Sequence, residues 1–568
     1  MKKTGKKLVS TLCAIAVCCS VCGAAVGCGN PFVEEEEQAD TTKVQLYVGN
    51  FNQGFGKKWL EDAAARFCEL KKDETGYAEG KTGVQIIIDD VSIGDSLIGS
   101  VGNERSEIIF NESMDYYSWI KRGNVRDITE IVTGDLGDFG EADNTIYDKM
   151  YPSAQSFYRY TDDKFYGIPF YESTFGIIYD RDVFENNNLY MDKNGRFTLS
   201  SQTDSNASSG PDGDAATTID NGLPATFSEF YALCDEMKRK GLQPFTWTGR
   251  NDNYISRFIQ SMSMYLDGYE NSRIHFDLQG TATKLVDRIE NGVAILKEPT
   301  EISQSDAYKM YESAGKYYTL EFLNNILSRN YDYSAKRGNT AYNHTNAQDD
   351  FVTNNTKRHK NSLGKDIAML IDGTWFLNEA AGTFTDLSKT EPNASASIRQ
   401  FGLMPLPHPD DWGPQKFTYV DTNQTLCCVT KNADESKMKL ISDFIKFLHT
   451  DAELEAFTKS TSTLRAFKYI DGMDTSGDGF TPYAKQLIEL KKFIGSDVIY
   501  PISDNAVFAN NTNKLFFSHE EFLSSAVGAS TLKYPNRVMV GSTPTSEKTY
   551  FDGLKAYHNA TWWNGIIE

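Results

Sequence analysis

The feature that most constrains the fold is an alternation of short apolar strands with amphipathic helices that begins at Val44. Val44-Gln45-Leu46-Tyr47-Val48 reads as a strand, and a glycine-bearing turn, Asn50 to Gly56, follows it. A helix then places Trp59, Ala63, Phe67 and Leu70 at helical spacing. Val84 to Ile88 is a second strand and Glu107 to Phe110 a third. Such alternation implies an α/β fold with a mostly parallel sheet. Ligands of these sheets bind beyond the carboxyl ends of the strands. Asn50 to Phe55 and Asn111 to Asp115 are therefore expected to share one crevice.

A second unit begins near residue 171. Its clearest helix opens with Thr226-Phe227-Ser228-Glu229, a capping box after Pro224. Phe230, Leu233, Cys234 and Met237 form its buried stripe, and Gly241 ends it. Another helix is predicted over Ser436 to Leu448, with Met438, Ile441, Ile445 and Leu448 inward. The stretch Ser200 to Asn221, rich in Ser, Asp, Gly and Thr, reads as a long surface loop. No internal repeat is apparent.

The first residues belong to no fold. Lys2, Lys3, Lys6 and Lys7 precede an apolar run from Leu8 to Val26, and Gly27 precedes Cys28. A basic start, an apolar centre and a small-residue cleavage point describe a secretory signal. The run approaches the length of a membrane span but is rich in Ala, Cys, Ser and Gly, which favours a cleaved leader. Ala25-Val26-Gly27-Cys28 resembles the bacterial lipobox, with Ala25 in place of its usual leucine. Residues 1–27 are thus expected to be removed and Cys28 to carry lipid. Residues 28–43 contain Pro31, the run Glu34 to Glu37 and no apolar periodicity. Like charges and low hydrophobicity keep such a segment extended as a tether.

With 40 % hydrophobic residues the chain has enough apolar surface for a large core and more than one lobe. Losing residues 1–27 removes four lysines and no acid, which carries the net charge from -21 to about -25. That acidity argues against nucleic acid and against direct adhesion to anionic lipid. Five of nine cysteines lie at or before Cys28, leaving Cys68, Cys234, Cys427 and Cys428. Their spacing matches no zinc site, and buried free thiols are the simplest reading; a Cys68–Cys234 bridge stays open. Asp474, Ser476, Asp478 and Gly479 imitate the start of a calcium loop, but Lys485 stands where a bidentate Glu is needed. An acidic turn is expected there, with no metal. No nucleophile elbow, phosphate loop or zinc helix occurs, so no catalytic residue and no cofactor are assigned.

A set of ordered motifs narrows the reading. Tyr166-Gly167-Ile168-Pro169-Phe170, then Gly176-Ile177-Ile178-Tyr179-Asp180-Arg181-Asp182-Val183-Phe184, resembles a crossover of the bacterial extracellular solute-binding proteins that include maltose-binding protein. Glu107 to Phe110, Gly123 to Ile128, Pro224 to Phe230, Ala368 to Trp375 and Phe444 to Leu448 resemble further family motifs in the same order. The resemblance runs from residue 44 to about 470 and is poor beyond.

The resemblance implies a two-lobed periplasmic-binding-protein-like fold with interlobe hinge strands. Hinges are expected near Ile168 to Glu172 and Pro405 to Lys416. The first lobe would comprise 43–170 plus 417–474, and the second 171–416 plus 475–568. Trp375 matches a tryptophan that stacks on sugar in the family, where a flat indole face suits a pyranose. A core tryptophan at a helix start is its bland alternative. Trp247, with Asp252 and Tyr254 close behind, lies where the family places second-lobe contacts. Sugar hydroxyls need partners that donate and accept. Asn52, Gln53, Asn111, Glu112, Asp115, Glu172, Asp372, Asp421 and Asn423 are the candidates, led by Asn52, Glu112 and Asp372. A solvated loop residue or helix cap is the ordinary alternative for each.

The function so implied is that of a lipid-anchored, extracytoplasmic, monomeric component of an ABC importer. It would bind a carbohydrate, an oligosaccharide by preference, and present it to the permease subunits. It would touch the membrane only through its lipid. An extracellular carbohydrate-active enzyme and a ligand sensor for a receptor kinase are the rivals.

Overall fold

The first sheet orders its strands 425–429, 108–112, 44–50 and 84–90. The strand Val44–Asn50 runs parallel to both Val84–Asp90 and Ile108–Glu112. Thr425–Val429 closes the edge antiparallel, with Cys427 opposite Phe110. The second sheet orders 243–246, 367–373, 175–180 and 401–404. There Phe175–Asp180 lies antiparallel to both neighbours, and only Gln243–Thr246 and Ile367–Gly373 are parallel. The first sheet is mostly parallel, as expected of its strands, and the second is mostly antiparallel. Strands joined through a helix must run parallel, whereas 175–180 and 425–429 enter their sheets from the other lobe.

This description is of a computed structural model that covers residues 38–52, 54–112, 115–357, 363–421, 425–495, 497–515 and 534–567. The leader, Cys28, Gln53, Asn423 and most of the tether lie outside the described residues. Among those described, no helix is long and apolar enough to cross a membrane.

Helix Lys58–Leu70 buries Trp59, Ala63 and Phe67 as spaced, but Leu70 is 57 % exposed because the helix ends as its stripe rotates outward. Each large apolar side chain so buried contributes about 1.5–3 kcal/mol. Thr226 and Glu229 form the expected capping box on helix Phe227–Arg239. The helix expected from Ser436 begins at Met438, because Asp434 caps a single tight turn over Glu435–Lys437 first. The 200–221 segment is less superficial than its composition implies. Gln202, Asp220 and Asn221 are buried in it, and the Gln202 amide donates to the Ile219 and Asn221 carbonyls. All four cysteines from Cys68 onward are free thiols.

Two short ladders join the lobes. Tyr171–Glu172 pairs antiparallel with Leu464–Arg465, and Tyr419–Val420 pairs parallel with Val498–Ile499. The first ladder includes Tyr171 and Glu172, from the segment expected as the first hinge. Within Pro405–Lys416, expected as the second hinge, the His408 and Gln415 nitrogens donate to the Ala225 and Pro211 carbonyls. Two buried polar groups fasten the first ladder. The Glu172 carboxylate receives the Lys491 ammonium at 2.7 Å on both oxygens and the Tyr500 hydroxyl. Arg465 donates to the Phe170 carbonyl at 2.7 Å and bonds to His449 at 2.9 Å. Its burial lowers its pKa to about 10.

Candidate functional site

The two lobes meet around Phe175, the first residue of a second-lobe strand. Trp375 stands edge-on to the Phe175 ring at 5.0 Å and Tyr254 does so at 5.2 Å. The Arg257 guanidinium lies 5.6 Å from the same ring. Tyr254 and Arg257 are three residues apart near the start of helix Asp252–Asp277, so they share a face. Trp375 follows strand Ile367–Gly373 and folds back over its end. A Cβ at Gly373 would come 2.5 Å from the indole, so only glycine permits that fold-back.

The first lobe closes on this cluster with the turn after its first strand and the end of its third. Phe55 packs 4.0 Å from the Tyr171 ring and 6.3 Å from Trp375. The Asn378 amide donates to the Gly54 carbonyl at 3.0 Å. Glu112 ends strand Ile108–Glu112 and accepts the Tyr171 hydroxyl. Burial raises the Glu112 pKa, against the opposing pull of Tyr171 and the Arg257 charge.

Behind Trp375 lies a carboxyl pair. The Gln348 amide nitrogen donates to Asp372 at 3.0 Å and to Glu379 at 2.6 Å. Burial and then the Glu379 charge push Asp372 well up, and burial moves Glu379 to about 7. Sharing the Gln348 donor, the two carboxyls each disfavour the other's charge. His344 stacks on Tyr254 at 5.1 Å, and burial, then the Arg250 charge, lower its pKa. Among the described residues, no three His, Cys, Asp or Glu side chains form a metal-binding group.

The structure thus brings Glu112, Tyr254, Asp372 and Trp375 together, with Asn52 exposed on the adjoining turn. The other candidates lie elsewhere. Asn111 is buried, accepting from the Gly94 nitrogen and donating to the Ser92 carbonyl, both at 2.8 Å. Asp115 caps helix Tyr116–Lys121 and accepts from Thr512 at 3.3 Å. Trp247 is 2 % exposed and packs edge-on to Phe245 at 5.4 Å. Asp252 is held by Arg537 at 2.8 Å and Asn536 at 3.0 Å. Glu172 belongs to the hinge clasp, and Asp421, 5 % exposed, accepts from the Ser173 nitrogen beside it. These side chains spend their polar atoms on the protein itself.

Sequence reasoning passed over Phe55, Tyr171, Phe175, Arg257, Gln348 and Glu379. Glu379 and Trp375 are four apart, at the two ends of the short helix that Trp375 opens. That spacing is the one signal available in advance. Arg257 and Gln348 carry no motif, and only the packing of distant helices brings them here.

Two α/β lobes joined by short hinge strands and meeting on one polar and aromatic cluster define a two-lobed binding fold. The chain belongs to the bacterial extracellular solute-binding protein family, whose profile matches residues 56–454. No curated protein sequence matches significantly. Among solved structures, the chain is similar to the solute-binding protein RafE in complex with raffinose, at 12 % identity and a TM-score of 0.49, over 93 % of this chain and 100 % of that one. It is also similar to a probable secreted solute-binding lipoprotein from Streptomyces coelicolor, at 13 % identity and a TM-score of 0.49, over 91 % and 99 % of the two chains. A cyclic alpha-maltosyl-1,6-maltose binding protein from Arthrobacter globiformis is similar at 12 % identity and a TM-score of 0.48, over 92 % and 100 %.

Proposed function

We propose that this solute-binding protein captures a carbohydrate, by preference an oligosaccharide, between its lobes and delivers it to the permease of an ABC importer while tethered through a lipidated Cys28. Membership of the solute-binding family supports the binding role. The observation that carries the ligand class is the convergence of Glu112 and Phe55 from one lobe with Trp375, Tyr254 and Arg257 from the other. Carboxyl groups accept from sugar hydroxyls, the guanidinium donates to them, and the aromatic faces cover the apolar side of a pyranose. A ligand touching both lobes favours the closed form, because only there are all its contacts made. No chemistry on the ligand is needed for this cycle.

The test is calorimetric titration of the mature protein with a panel of oligosaccharides, followed by chromatography of the recovered ligand. Saturable binding with the ligand returned intact is expected. Conversion of the ligand would favour the enzyme reading. No binding across the panel would reject the carbohydrate reading.

A further inference from the structure

A groove of about 300 Å³ lies beside the site, with one wall on each lobe. Asn378, Ala381, Thr385 and Ser388 line it from the second lobe, and Lys459 and Ser460 from the end of a first-lobe helix. Asn378 is the partition. Its amide holds the Gly54 carbonyl at 3.0 Å, and Gly54 in turn lies against the Trp375 indole, where a Cβ would sit 3.6 Å away. Asn378 therefore stands between the groove and the Trp375 cluster, and its bond to Gly54 crosses from lobe to lobe. That bond must break whenever the lobes part.

The chemistry of the walls is that of a hydroxyl-binding surface. Thr385 donates its proton to the Ala381 carbonyl at 2.8 Å and Ser388 donates to the Thr385 carbonyl at 2.9 Å. Ser395 and Ser397 hydrogen-bond to each other at 3.0 Å on the groove's rim. Hydroxyls whose protons are spent internally keep oxygen lone pairs for incoming donors. The Lys459 ammonium, 2.7 Å from Glu455, adds a donor. The volume falls at the lower end of small-molecule sites, which run from about 300 to 1,000 Å³.

We infer that the groove continues the binding cleft, so that the ligand is an extended oligosaccharide that passes Asn378 and lays its further residues along the Thr385–Ser388 wall. The inference rests on the carbohydrate reading of the Trp375 cluster and adds chain length to it. A ligand in the groove touches both lobes, so the additional residues strengthen closure as well as contact.

The test uses the mature protein with Ala381→Trp and, separately, Ser460→Trp. Both positions are exposed, and the two indoles fill the groove from opposite lobes. Binding is measured by calorimetry against oligosaccharide series graded by length within each linkage type, with melting curves as the check on folding. In the series that binds, both variants are expected to lose about tenfold or more on the longest members and nothing on the shortest. Unchanged affinity at every length overturns the groove and leaves the cleft reading standing. Equal loss at all lengths also overturns it, because the indoles then act on lobe closure alone. Failure of every series to bind the unsubstituted protein rejects the carbohydrate reading itself, and the groove falls with it.

Discussion

Trp375 is 5 % exposed with the lobes in contact, and its neighbours come from both of them. Trp375→Ala is expected to weaken sugar binding by about 1–3 kcal/mol, the scale of a lost aromatic anchor. A variant that melts far earlier yet binds normally in its folded fraction would make the indole a core residue instead. Glu379 gives a prediction in pH. Its folded pKa is raised from 4.5 to about 7, so its favourable contribution is complete in acid and is lost as pH rises through about 7. Glu379→Gln cannot ionise. Its melting temperature relative to the parent should therefore climb between about pH 5 and about pH 8. A difference that is flat with pH would show that the Glu379 pKa is not raised.

Among the elements, the hinge strand Tyr171–Glu172 has the most to lose from a single change. Lys491 is 3 % exposed, and its ammonium lies 2.7 Å from the fully buried Glu172 carboxylate. Lys491→Met leaves that charge stranded and should cost about 3–5 kcal/mol of stability in denaturant unfolding. Glu172→Met with Lys491→Met should recover most of the loss, since the charge then leaves together with its partner. A double variant as unstable as the single one would mean the clasp is held by packing, not charge. Secondary structure followed local chemistry closely where a helix had one apolar stripe, as in Phe227–Arg239. Helix Asp252–Asp277 was invisible because it is buried nearly all round and carries Gly268 at φ 78 in its middle.

For the whole molecule, we propose that the two short ladders, Tyr171–Glu172 with Leu464–Arg465 and Tyr419–Val420 with Val498–Ile499, act as hinges. Saturating ligand is expected to lower the radius of gyration in small-angle scattering without changing the circular dichroism. An unchanged radius with binding confirmed in the same sample would point to a preformed groove. Anchoring is tested separately. Cys28→Ala should release the protein into the medium or leave the leader uncleaved, because a stable membrane hold needs more than one acyl chain. Normal retention of correctly cleaved variant protein would refute the lipid anchor.

The sequence by itself determined the α/β class and the family, and it pointed to the neighbourhood of Trp375. These rest on short-range signals: strand and helix periods, a capping box, and motifs whose order the chain preserves. It named Glu112, Tyr254, Asp372 and Trp375, which lie beside strand ends or helix starts where turn chemistry exposes polar groups. Only the tertiary structure decided that Asn111, Asp252 and Glu172 are engaged by Ser92, Arg537 and Lys491. Arg537 and Lys491 lie hundreds of residues from those they hold. A carboxylate in a loop has the same local sequence whether it faces solvent, a ligand or a buried lysine. Burial and partner choice are properties of the packed chain, and they alone tell a site from a clasp.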